Sequence, residues 1–121
     1  MKTIYVSHSR DMDYEKELYK PLLNSKLTSE YRFILPHSRE YDKVNTKEIL
    51  INSDYLVAEV SFPATGVGLE LGRAECNNVS IICFVKKGKK CSSSIERNFE
   101  VFEYNDSQEM IKKLEERLNG K

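Results

Sequence analysis

A doubly wound α/β sandwich with a parallel sheet is the fold that this 121-residue sequence predicts. Two observations carry it. Short apolar runs alternate with segments of helical periodicity along the chain, which implies parallel strands joined by right-handed crossovers. The run at residues 79–85 is almost wholly apolar, as expected of a central parallel strand covered on both faces.

The elements follow in order. Residues 4–6 are a short apolar strand. Residues 13–23 place Tyr14, Leu18 and Leu22 on one helical face, and Pro21 inside that pattern predicts a kink or an early end. Residues 31–35 read as a second strand, stopped by Pro36. Residues 46–52 read as a short helix with Ile49 and Leu50 inward, and residues 55–60 as a third strand. Residues 69–77 form a helix approached through Gly66 and Gly68. Residues 79–85 and 99–102 complete the strands. The last helix has the clearest signals. Asp106 and Glu109 make a capping-box-like start, Met110, Ile111, Leu114 and Leu118 form one stripe, and Gly120 follows the end. Five strands fit a flavodoxin-like three-layer sandwich ordered 2-1-3-4-5. The length fits one domain, residues 1–121, and the only loose stretch is residues 86–94.

Lys plus Arg equals Asp plus Glu at 19 each, so formal net charge is zero. That balance argues against a protein that coats nucleic acid or an anionic membrane. The first residues carry no apolar signal-peptide core, and no apolar run reaches membrane-spanning length. Cys76, Cys83 and Cys91 are odd in number and lack a Cys-x-x-Cys spacing, so they read as reduced thiols of a cytoplasmic protein. No cofactor and no metal site is expected.

In such a fold, ligands bind beyond the carboxyl ends of the strands, near the switch in strand order. The residues to inspect are therefore Ser7, His8, Ser9 and Arg10, then Pro36, His37 and Ser38, then residues 59–70 and 86–94. They form a polar collection. The lysine-rich run at 86–90 reads as a solvated loop that could also attract a phosphate.

The segment after the third strand carries the chemistry. Gly66 and Gly68 allow backbone to approach a ligand, and a helix N-terminus there favours negative charge. Glu70 is expected in its first turn, facing the crevice, where a carboxylate can attack a sugar carbon or stabilise an oxocarbenium-like transition state. A dinucleotide fingerprint is rejected, because the glycines follow the third strand and position 71 is Leu.

Asp54 through Val60, Pro63 and the stretch Gly66-Val67-Gly68-Leu69-Glu70-Leu71-Gly72-Arg73-Ala74 resemble the nucleoside 2-deoxyribosyltransferase superfamily, nearest to its 2′-deoxynucleoside 5′-phosphate N-hydrolase branch. The resemblance implies that Glu70 is the nucleophile and that Tyr5 orients it. It implies a two-step displacement through a glycosyl-enzyme, resolved by water or a second base, in a homodimer with shared sites. Ser9 and Arg10 resemble that branch's phosphate-contacting turn, Thr65 could add a hydroxyl, and a serine from the partner subunit maps to Ser92, Ser93 or Ser94, Ser93 being the central candidate. With Ser7, Gly66 and Gly68 these complete the substrate-binding candidates for a nucleoside monophosphate.

Two positions depart from the pattern. The superfamily carries an Asp about two dozen residues before its nucleophile, to help protonate the leaving base, and Thr46 stands there. His8 or His37, both expected at the crevice, could substitute as general acid. Transferases acting on free nucleosides have an Asp six positions before the nucleophile, and Ala64 stands there, leaving room for a phosphate. Two rival readings share the fold: a TIR-like NAD-cleaving domain, suggested by residues 4–11, and a non-catalytic nucleotide sensor, suggested by the absent acid at position 46.

Overall fold

The computed structural model describes residues 1–120. Five parallel strands, β1 (Lys2–Ser7), β2 (Tyr31–Ile34), β3 (Tyr55–Glu59), β4 (Ser80–Lys86) and β5 (Val101–Tyr104), form one sheet in the order β2-β1-β3-β4-β5. The helices are α1 (Lys20–Leu23), α2 (Lys47–Ile51), α3 (Thr65–Cys76), α4 (Ser93–Asn98) and α5 (Ser107–Leu118). The α/β class and the doubly wound order are those expected from the sequence.

Strand alternation divides the core in two. Ile4, Val6, Val57, Ile82 and Phe84 face Leu18, Leu22, Met110 and Leu114 on the side of α1 and α5. Tyr5, Leu56, Ala58 and Cys83 face Leu50 of α2 and Val67, Leu71 and Ala74 of α3. Burying one large apolar side chain in either layer stabilises the fold by about 1.5–3 kcal/mol.

The first helical segment answers its proline. A π-helical turn, Glu15–Tyr19, runs into α1, with Pro21 near the start of the α-helical part. Pro21 has no N–H to offer the Glu17 carbonyl four residues back. Ser107 Oγ at the start of α5 donates to that carbonyl instead, at 2.7 Å. The disruption expected at Pro21 is thus a change of helical pitch, stapled across to another helix.

Helix α3 begins at Thr65, earlier than the expected 69–77. Ala64 is extended (φ −153°, ψ 127°), and the glycines that suggested an approach turn lie inside the helix. Positive-φ glycines among the described residues are Gly88 and Gly120 alone, so Gly66 and Gly68 need no left-handed backbone. A Cβ on either would meet nothing within 4 Å. A mid-helix glycine costs about 1 kcal/mol, and packing of Val67, Leu71 and Ala74 against the sheet overrides that penalty. Glu70 consequently sits in the second turn of α3, not the first.

Two further boundaries shift. Helix α4 occupies part of what read as a loop, because its six residues carry little apolar periodicity; Ser92 caps it by accepting from the Ile95 N–H. Strand β5 begins at Val101, since Phe99 ends α4.

Glu59, placed by the sequence among the crevice residues, is 2% exposed. Its Oε1 accepts from the Ser61 N–H at 2.7 Å, and its Oε2 accepts from Ser61 Oγ at 2.8 Å and from the Tyr104 hydroxyl. Ser61 Oγ in turn accepts from the Lys86 N–H at 2.8 Å. This cluster ties the ends of β3, β4 and β5 and fixes where the segment leading to α3 departs. Among the described residues, no helix is long and apolar enough to cross a membrane.

Candidate active site

Tyr5 and Ser7 are two residues apart on β1 and therefore share a face. Both reach α3. Tyr5 Oη donates to Glu70 Oε2 at 2.5 Å, and Ser7 Oγ donates to Glu70 Oε1 at 2.7 Å. Each carboxylate oxygen has one fixed donor and retains a second lone pair for a ligand. Burial, with the Glu70 bond in support, pushes the Tyr5 phenol far up, so it remains a donor at any physiological pH. Thr46 Oγ1, on the N-terminal flank of α2, lies 2.9 Å from Tyr5 Oη.

Glu70 opens onto two cavities. One, of about 580 Å³, is lined by Tyr5, Tyr14, His37, Tyr41 and Thr46 besides Glu70. The other, of about 560 Å³, is lined by Arg10, His37, Gly66, Leu69 and Arg73 besides Glu70. Arg10, His37 and Glu70 border both and mark their junction. The first has three tyrosine rings and an imidazole, with Arg10, Arg39 and Lys43 on its rim; the second has Arg10 and Arg73 beside the start of α3. Each holds one further carboxylate, Asp42 and Asp11 respectively.

The two histidines have different environments. His8 is 6% exposed and stacks on Tyr14 with centroids 4.4 Å apart. Its Nδ1 lies 2.9 Å from the Ser9 carbonyl and its Nε2 2.7 Å from the Tyr19 hydroxyl. A carbonyl can only accept, so Nδ1 carries the hydrogen, and neutral Nε2 accepts from Tyr19. Burial lowers the His8 imidazole to about 4. His37 stands 4.7 Å from the His8 ring and faces both cavities. Burial and the Arg10 cation lower its pKa, against an opposing pull from Glu70.

Of the other residues singled out from the sequence, Ser9 and Gly66 border the second cavity together with His8 and Arg10, whereas Ser7, Thr65, Gly68 and Ser93 do not. Ser7 is 1% exposed and spends its hydroxyl on Glu70, so it serves the carboxylate and not a ligand directly. The Ser9 hydroxyl accepts from the Asp11 N–H at 3.0 Å, shaping the turn that presents Arg10. Gly66 borders that cavity at the start of α3. Thr65 and Gly68 line a separate groove of about 580 Å³ between α3 and α4, together with Ser92 and Ser94. Ser93 borders neither Glu70 cavity. In the lysine run, Lys86 pairs with Glu17 at 3.5 Å and Lys89 lies 5.0 Å above the Phe62 ring; both are occupied away from Glu70.

Sequence reasoning passed over Arg73 and Tyr14 as site residues. Arg73 had a signal, since it follows Glu70 by three positions and three-apart residues are neighbours on a helix. Tyr14 had none, because its pairing with His8 depends on how the β1–α1 segment folds back.

Comparison with known proteins bears on this geometry. No family model matches the chain. It is 41% identical over 64 residues to the curated "Putative 2′-deoxynucleoside 5′-phosphate N-hydrolase 1" of Nematostella vectensis, a match that covers 47% of this chain and 44% of that protein. The aligned region thus spans under half the length of that relative. Its fold resembles the solved structure of the CMP N-glycosidase BcmB of Clostridium botulinum, with a TM-score of 0.72 at 16% identity, over 94% of this chain and 98% of that one. The first match agrees, over its 64 aligned residues, with the superfamily resemblance read from the sequence; the second shows the fold. The sheet order is consistent with the flavodoxin-like fold of the solved neighbour.

Proposed function

We propose that this protein cleaves the N-glycosidic bond of a nucleoside 5′-monophosphate, with Glu70 as nucleophile. One observation carries the reading: the Glu70 carboxylate is gripped by Tyr5 and Ser7 at the junction of two cavities, one walled by tyrosine rings and one at the start of α3. The cavity at the start of α3 suits the phosphate, through Arg10, Arg73 and the helix N-terminus. Among the described residues neither arginine is in an ion pair, and both are available to an anion. The aromatic-lined cavity suits the base, beside Tyr14 and His37. A sugar bridging the two sets C1′ against Glu70.

The chemistry follows from that placement. A Glu70 oxygen bonds to C1′ as the C1′–N bond breaks, and the electron pair leaves with the base. His37 supplies the proton that the departing base needs; His8, buried with both ring nitrogens engaged, does not. Water, or a second base, then attacks C1′ and frees Glu70. The names of the two similar proteins support a nucleotide substrate and base release, and give no support to the TIR-like reading.

The homodimer and the cytoplasmic setting belong to the same proposal. The groove beside α4, with Ser92 and Ser94 on its rim, supports a second copy docking there and carrying hydroxyls towards the phosphate. Three free thiols support a reducing compartment. The test is chromatography of a panel of ribo- and deoxynucleotides incubated with wild type and with Glu70→Ala. Base release by wild type and none by the variant is expected, and release by both contradicts the assignment. Adding a second free base separates transfer from hydrolysis.

A further inference from the structure

We infer that Thr46 is a positioning residue for Glu70, acting through the Tyr5 hydroxyl. The inference rests on the reading of Glu70 as nucleophile for its functional meaning, but its geometry stands alone.

Tyr5 Oη has a single hydrogen and two oxygen neighbours, Glu70 Oε2 at 2.5 Å and Thr46 Oγ1 at 2.9 Å. A carboxylate accepts, and the shorter separation is that of a charge-assisted O–H···O⁻ bond. The phenolic hydrogen therefore points to Glu70. Two hydroxyls cannot both be acceptors in the bond they share, so Thr46 Oγ1 donates to Tyr5 Oη. The chain of donation runs Thr46 to Tyr5 to Glu70. A donor on the phenol oxygen polarises its O–H bond and strengthens the bond it makes in turn. It also leaves one orientation of the phenolic hydrogen that satisfies all three groups.

The backbone keeps Thr46 in place for this. Its carbonyl accepts from the Leu50 N–H at 2.9 Å, anchoring it to α2. Leu50 is 1% exposed in the same apolar cluster as Val67 and Leu71 of α3. Helix α2 is thus locked against the helix that bears Glu70. A threonine hydroxyl is far too weak an acid to protonate a leaving base. At the position where the superfamily pattern wants a proton donor, this chain has a residue that orients the nucleophile.

The experiment reads the Tyr5 hydroxyl proton by NMR, assigned by its disappearance in Tyr5→Phe, alongside steady-state kinetics. In Thr46→Val the resonance is expected to move upfield, and in Thr46→Ser to return towards its wild-type position. Should the valine variant not fold, the pair Thr46→Ser and Thr46→Ala differs by one oxygen and makes the same comparison. With nucleotide substrate, loss of the hydroxyl lowers kcat about tenfold with KM little changed, the size of one lost hydrogen bond. In a Tyr5→Phe background the same change has no further effect, because the two residues act as one unit. An unmoved resonance, a serine variant no better than alanine, or additive losses in the double variant overturns the inference. If wild type releases base from no nucleotide, the reading of Glu70 fails, while the resonance still decides the role of Thr46.

Discussion

Tyr5 and Glu70 lie 65 positions apart in the chain, yet the phenol of one meets the carboxylate of the other at 2.5 Å. The meeting is a product of the doubly wound topology. β1 and β3 are neighbours, with Tyr5 opposite Leu56, and the helix that follows β3 crosses the face on which Tyr5 stands. The switch in strand order places this pair where the fold binds ligands. Replacing Tyr5 with Phe removes a hydrogen bond to a charged group while leaving the ring packed. We expect kcat to fall about 10- to 100-fold, from the ~1.5–3 kcal/mol that such bonds are worth. Steady-state kinetics check this, and an unchanged kcat would remove Tyr5 from the mechanism.

As the proposed general acid, His37 would give base release a pH dependence of definite sign. Its pKa lies below the usual 6.5, lowered by burial and Arg10 and partly restored by Glu70. The protonated fraction that can hand a proton to the base therefore grows as pH falls. Between about pH 8 and pH 6, kcat/KM should climb on acidification. His37→Gln should be slower throughout and lose that slope. A slope that survives the substitution assigns the acid elsewhere.

His8 acts on stability instead. The folded protein holds it at about 4, against 6.5 for a free imidazole. Between those values the unfolded chain binds more protons, so stability is full above pH 6.5 and falls as pH drops towards 4. The loss is on the order of 3 kcal/mol. Urea denaturation at several pH values should show this decline. In His8→Gln, whose uncharged amide does not titrate, the part of the decline due to this residue should vanish.

Gly66 tests whether the cavity at the start of α3 is occupied by substrate. An added Cβ meets no protein atom within 4 Å, and the residue lies in a helix with no positive φ. Gly66→Ala should therefore stabilise the fold, by about 0.5–1 kcal/mol, on conformational grounds. It should also raise KM, because the methyl projects into space that the phosphate needs. A higher melting temperature with unchanged KM would move the phosphate away from α3.

The parts legible in the sequence were those written in local pattern. The apolar stretch within β4 stood out because a strand covered on both faces has no polar alternation to hide it. Helix α5 was legible because Asp106, Glu109 and the stripe through Leu114 agree; Asp106 indeed accepts from the Glu109 N–H at 2.9 Å. Glu70 and Tyr5 were legible as a pair through a motif, and the structure brings them together. What the sequence hid was long-range. Nothing near Ser7 says that its hydroxyl is taken by a glutamate on another element. Nothing near His8 says that Tyr19 closes its second nitrogen. Gly66 and Gly68 misled, since local propensity counts them as breakers while packing of the residues around them carries the helix through.

The most direct measurement is mass spectrometry of the peptide containing Glu70, after acid quench of enzyme with a 2′-fluoro-2′-deoxynucleoside 5′-monophosphate, whose fluorine slows breakdown of the intermediate. A sugar-phosphate adduct on Glu70, absent from Glu70→Gln, is the result expected. Base release by wild type with no adduct on that peptide, or undiminished release by Glu70→Gln, would contradict it.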